Sequence, residues 1–116
     1  MSENGDATTG LEYHGPSQLR EAVVHALKTV YDPEIPVDIL ELGLIYKVKI
    51  DDGGQAHVEM TLTSPACPSA EQIPVEVREK IAGIHGVEHA QVDIVWEPSW
   101  TPEFMSEAAK LELGMY

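Results

Sequence analysis

The chain holds one cysteine, Cys67, within Thr63-Ser64-Pro65-Ala66-Cys67-Pro68. The stretch follows an alternating apolar run and precedes a helical one, which places the thiol at a strand-to-helix junction. With Pro68 as the first helical residue, Cys67 takes the N-cap position. There, unpaired backbone N–H groups and the positive end of the helix dipole favour the thiolate, the form that binds metals and attacks electrophiles. Pro65 and Pro68 stiffen the backbone on either side, and the hydroxyls of Thr63 and Ser64 can donate to the sulfur or cap the helix. The competing reading is the commonest fate of a free cysteine, a small buried hydrophobe.

A second candidate is the proline-stiffened acidic turn Asp32-Pro33-Glu34, with Asp38 close behind. Carboxylates fixed on such a turn can bind a cation, although acidic residues beside a helix end are more often solvated turn formers. The turn gains chemical meaning only if it folds next to Cys67. The histidines are weaker leads. His85 and His89 have i,i+4 spacing, but Gly86 falls between them where a helix should end, so they read as surface residues, as do His57 and His25. Trp96, Trp100 and Tyr46 read as core aromatics before they read as a recognition surface. The chain has no glycine-rich phosphate loop and no serine nucleophile elbow.

A lone cysteine excludes an internal disulfide and a CxxC redox pair, and limits one chain to one thiolate ligand. Twenty Asp and Glu against seven Lys and Arg give a net charge of -13, with no basic cluster, which argues against nucleic-acid and membrane-surface partners and for a basic protein or a metal ion. The opening MSENGDATTG lacks the cationic flank and apolar core of a signal peptide, and no apolar run is long enough for a membrane span, so cytosolic residence is expected.

At 116 residues, the chain has the length of one domain. Residues 1–15 are polar and aperiodic and read as a mobile tail, leaving residues 16–116 as the folded unit. From Ser17, an expected N-cap, Leu19, Val23, Ala26, Leu27 and Val30 make a helical stripe that Asp32-Pro33 must end. Leu44, Tyr46, Val48 and Ile50 then alternate, as do Val58, Met60 and Leu62. The loop Asp52-Gly53-Gly54 joins these runs in a register that sets Val48 opposite Val58, Tyr46 opposite Met60, Leu44 opposite Leu62 and Lys47 opposite Glu59. A second helix carries Ile73, Val77, Ile81 and Ile84, with Pro74 marking a kink or an irregular start. Val92, Ile94 and Trp96 form a third strand, and Thr101-Pro102 opens a last helix. The pattern predicts an α/β (α+β) domain of two layers, αββαβα, with a small three-stranded sheet and a right-handed helical crossover from its second strand to its third.

Three motifs in order, DPEIPVDILELGLIY (Asp32 to Tyr46), TLTSPACP (Thr61 to Pro68) and VDIVWEPSWTPEFMSEAA (Val92 to Ala109), resemble the SufT/PaaD-like family over about residues 17 to 113. The resemblance implies an iron-sulfur cluster assembly domain-like fold and an accessory, non-enzymatic role in building clusters or delivering them to client apoproteins, with assembly proteins as further partners. It places the family's site on Asp32, Glu34, Thr63, Ser64 and Cys67, with Ser64 standing where many members have a second threonine. No cysteine-rich extension follows the last helix, which favours the SufT side over a role in a phenylacetyl-CoA oxygenase system. One thiolate cannot complete the usual four-ligand shell of a cluster, so none is bound tightly by a monomer. A homodimer with two Cys67 residues, a single iron ion shared with Asp32 and Glu34, and a docking role without metal all stay open. Outside maturation, the rivals are a small thiol enzyme with Cys67 as nucleophile and a pure interaction adaptor.

Overall fold

The structure is a computed structural model that describes residues 11–32, 35, 37–63 and 72–114. Its described elements run β1 (Glu12–His14), α1 (Ser17–Leu27), α2 (Ile39–Leu42), β2 (Ile45–Ile50), β3 (Gln55–Met60), α3 (Gln72–Ala82), β4 (His89–Ile94), a 3-10 turn (Pro102–Phe104) and α4 (Glu107–Glu112). The mixed α+β class expected from the periodicity is what forms. The sheet, however, has four strands in the order β1-β2-β3-β4, not three. The added strand comes from the segment expected to be a tail: Glu12–His14 pair in parallel with Lys47–Lys49, a run too short to show a period in the sequence.

Alternation sets the two faces of the sheet. Val48, Ile50, Ala56, Val58, Met60 and Ala90 are buried with Val23 and Leu27 of α1 and Ile73, Val77 and Ile81 of α3. Lys49 and Gln91, by contrast, are exposed and His57, Glu59 and Asp93 half-buried on the opposite face, where His57 Nε2 meets Asp93 Oδ2 at 2.6 Å. The hairpin register is as expected at Lys47↔Glu59 and Val48↔Val58, but it slips beyond them. Ile45, not Tyr46, is the partner of Met60, and Leu44 lies outside the strand. One extra residue on β2 makes a bulge, which keeps Ile45 in the core and frees Tyr46 to send its hydroxyl to the Pro98 carbonyl, 2.8 Å away.

Several ends are built differently from the expectation. Pro16, not Ser17, holds the N-cap position of α1, and no side chain caps that helix. Pro74 is the third described residue of α3, whose described part opens at Gln72 beside undescribed residues. Thr101-Pro102 opens only a 3-10 turn; the last helix begins after Ser106, whose hydroxyl accepts from the Ala109 amide. Trp96 lies past the end of β4 and is 44% exposed.

Gly43 ends α2 at φ 81, and a β-carbon there would stand 2.4 Å from the Phe104 carbonyl oxygen. The close approach seats the C-terminal segment against the start of β2. Gly43→Ala combines a left-handed backbone with a backbone clash, and is expected to cost at least about 2 kcal/mol. For a domain of this size that is a fall of roughly 8 °C or more in Tm, read by thermal circular dichroism; an unchanged melt would refute the packing account.

Candidate functional site

All three motifs converge at one end of the sheet, where β3 and β4 finish and β2 begins, and backbone hydrogen bonds stitch them together. The Thr61 amide donates to Leu44 O at 2.8 Å, Val95 to Met60 O at 2.8 Å and Ser106 to Glu41 O at 2.9 Å. Trp100 Nε1 donates to Leu42 O at 2.7 Å, and Tyr46 packs edge-on to Phe104 with ring centroids 5.9 Å apart. Trp100 is therefore a clamp between motifs, and Tyr46 belongs to this junction instead of lining the core face.

The acidic turn reaches the same end. Tyr31 and Asp38 form an antiparallel bridge across it, and the Ile39 amide donates to Val30 O at 2.9 Å. Asp32 is buried, at 5% exposure. Asp38 has a structural duty the sequence reading missed, capping α2 through Oδ1, which accepts from the Glu41 amide at 2.9 Å. Burial pushes its carboxyl above the usual aspartate range, only partly offset by that amide. Beside the turn, Asp38, Glu41 and Glu112 line an open groove of about 270 Å³ with Tyr31, Val37, Ala108 and Ala109.

Of the site residues expected from sequence, Asp32 and Asp38 lie on the turn between α1 and α2, and Thr63 lies half-buried just past β3. Glu34, Ser64 and Cys67 lie outside the described residues. Among the described residues, no group of three or more His, Cys, Asp or Glu could hold a metal ion, and no helix is long and apolar enough to cross a membrane.

Two features of the junction went unseen in the sequence. Thr61 is fully buried, and its hydroxyl has no well-formed hydrogen bond among the described residues; burial raises the nearby Tyr46 phenol above its usual range, a shift the Thr61 hydroxyl only partly offsets. Strand alternation puts Thr61 on the polar face; only the bulge, unforeseeable from alternation, brings Tyr46 over it. Such an orphan hydroxyl carries the full desolvation penalty of its burial. Thr61→Val, which keeps the shape, is expected to stabilise the protein by about 1 kcal/mol, visible as a higher denaturation midpoint at unchanged slope; a lower midpoint would show the hydroxyl to be satisfied.

The other feature is a polar network tying α1, α2 and α4. Glu41 accepts from the Ser106 hydroxyl and meets Lys28 Nζ at 3.0 Å. Burial alone would raise the Glu41 carboxyl, but the Ser106 hydroxyl and the Lys28 ammonium outweigh it and hold it below its ordinary value of 4.5. A depressed folded value means that ionised Glu41 stabilises the fold above about pH 4.5, a contribution lost as pH falls through the folded value. Glu41→Gln is therefore expected to cost about 1–3 kcal/mol at pH 7. Its gap from wild type should narrow as pH falls below 4.5 in pH-dependent melts; a gap independent of pH would contradict the network.

Comparison with known proteins places this geometry. The family model described as iron-sulfur cluster assembly protein matches residues 20–94. A Porphyromonas gingivalis Fe-S protein maturation auxiliary factor is 48% identical over 97 residues, covering 84% of this chain and 92% of that protein. The Staphylococcus aureus Fe-S protein maturation auxiliary factor SufT is 48% identical over 86 residues, 74% of this chain and 98% of its own. Among solved structures, a domain of unknown function from Bacillus anthracis superposes with a TM-score of 0.78 at 38% identity, over 85% of this chain and 94% of that one. A conserved hypothetical protein from Thermotoga maritima gives 0.71 at 41% identity, over 82% and 93%. With a family model spanning most of the fold and relatives this similar along nearly their whole lengths, the chain belongs to the iron-sulfur cluster assembly protein family, on its Fe-S maturation auxiliary factor branch.

Proposed function

We propose that this protein is a non-catalytic auxiliary factor of the Suf type, which takes up an iron-sulfur cluster or iron ion transiently at Cys67 and hands it to client apoproteins. The observation that carries the reading is the stitching of the three motifs at one sheet end. The Thr61 amide, bonded to Leu44 O, fixes the chain two residues before Thr63, and Cys67, four residues on from Thr63, can lie no further from it than about 14 Å. The cargo is a substrate, not a resident group: one thiolate per chain leaves the remaining ligands to small thiols, a carboxylate of the acidic turn, a second copy or the client itself. Relatives named as maturation auxiliary factors and as iron-sulfur cluster carriers support the direction of transfer.

Anaerobic addition of iron and sulfide is expected to give thiolate-to-iron absorption in the wild type and none in Cys67→Ser, with Asp32→Asn retaining colour but losing it faster to a chelator. Colourless wild-type protein, or a coloured Cys67→Ser, would sink the reading. The thiol-enzyme alternative predicts turnover of a simple thioester with a pH dependence set by Cys67; no turnover is expected.

A further inference from the structure

We propose that the outer edge of β4 is a docking strand for an extended segment of the client apoprotein, an inference that rests on the maturation reading above. The sheet has two edges, and they are unlike. β1 is three residues long and meets Gly15 and Pro16 at once, the usual way of blunting an edge. β4 is six residues long, pairs with β3 without a break from His89 to Ile94, and contains no proline, lysine or bulge. Parallel pairing points alternate amides each way. Since His89 donates to Gly54 O and Val95 to Met60 O, the N–H groups of Ala90, Val92 and Ile94 face away from β3, and no strand lies beyond them among the described residues. An edge of this kind accepts a further strand through main-chain hydrogen bonds, with side-chain contacts adding selectivity.

Three observations choose the occupant. β4 runs toward the end where the chain leaves β3 for Thr63, as Val95 N→Met60 O shows, so a segment lying along it emerges beside Thr63, four residues before Cys67. Trp96, 44% exposed just beyond the strand, stands there as an aromatic anchor. Charge is the third. Asp93, the one carboxylate of the strand, is already engaged by His57, so the selecting charge is that of the whole chain: -13 overall attracts a strand bearing Lys or Arg and opposes a second copy. The partner is therefore an extended, basic segment of the recipient protein.

The test uses the intact protein and, as probe, an apo [4Fe–4S] protein that carries an extended segment rich in Lys and Arg. In hydrogen exchange, the amides of Ala90, Val92 and Ile94 are expected to gain protection when the probe is added, while those of β1 do not. Val92→Pro removes an outward N–H and also the Val92 side chain that packs partly against the core. It is therefore read alongside its Cys67-dependent colour and thermal melt, both expected to persist because the β3 ladder keeps its bonds, while hydrogen exchange on the wild type tests docking without it. Transfer to the probe should meanwhile fall by about tenfold or more, the loss expected when a docking strand is blocked. Unprotected amides, or transfer by Val92→Pro at the wild-type rate, would overturn docking on β4 while leaving maturation intact. Protection of the same amides in the protein alone, strengthening with concentration and salt, would identify a second copy as the occupant and overturn the proposal. Protection by the probe with no colour and no transfer in the wild type would support strand capture and overturn the maturation reading instead.

Discussion

The bulge that inserts Tyr46 between Ile45 and Lys47 is the feature on which the junction of the three motifs depends. Without it, regular alternation would put Tyr46 opposite Met60 on the core side, and its hydroxyl could not reach the Pro98 carbonyl. With it, one residue carries a side chain across to the segment after β4, and Trp100 makes the second tie at Leu42 O. The buried Thr61 hydroxyl is a local cost of this arrangement. A strand that gives up regular pairing at its site end spends stability where binding residues must be aimed, a common use of bulges.

What the sequence made legible follows from periodicity. Val23 and Leu27, Ile73, Val77 and Ile81, and Val48 opposite Val58 were readable because each belongs to a run long enough to repeat a period, and burial then rewards that period. What escaped has no period. Glu12–His14 is too short to alternate visibly. The α2 turn of Ile39–Leu42 is hidden in a motif that reads as a connection, although Asp38 followed by Glu41 was a capping signal in plain view. The candidate site stood out in the sequence as a set of residue types, a proline-flanked cysteine and clustered carboxylates, of which Cys67, Glu34 and Ser64 lie outside the described residues. Its supporting parts, Thr61, Trp100, Ser106 and Glu41, interact across 17 to 65 residues of chain and leave no local signature.

A single thiolate per chain and a strongly acidic surface look like weaknesses in a metal-handling protein, and in the proposed hand-off both have a use. A carrier that supplied four cysteines would hold a cluster as firmly as its recipient does, and transfer would stall. One cysteine, with oxygen ligands or small thiols completing the shell, leaves the cluster more stable in the client, so hand-off runs downhill without an energy source. The cost is a short-lived loaded state, which must be offset by bringing the recipient close before the cargo is lost. A net charge of -13 speeds encounter with basic surfaces and keeps carriers from associating with each other. A recipient segment held along β4 would turn the exchange of ligands into an intramolecular event, governed by the local concentration of client thiolates at the end of the sheet instead of by their concentration in solution. Weak holding and close docking are then two halves of one requirement, because either alone would release the cargo to solvent or never release it at all.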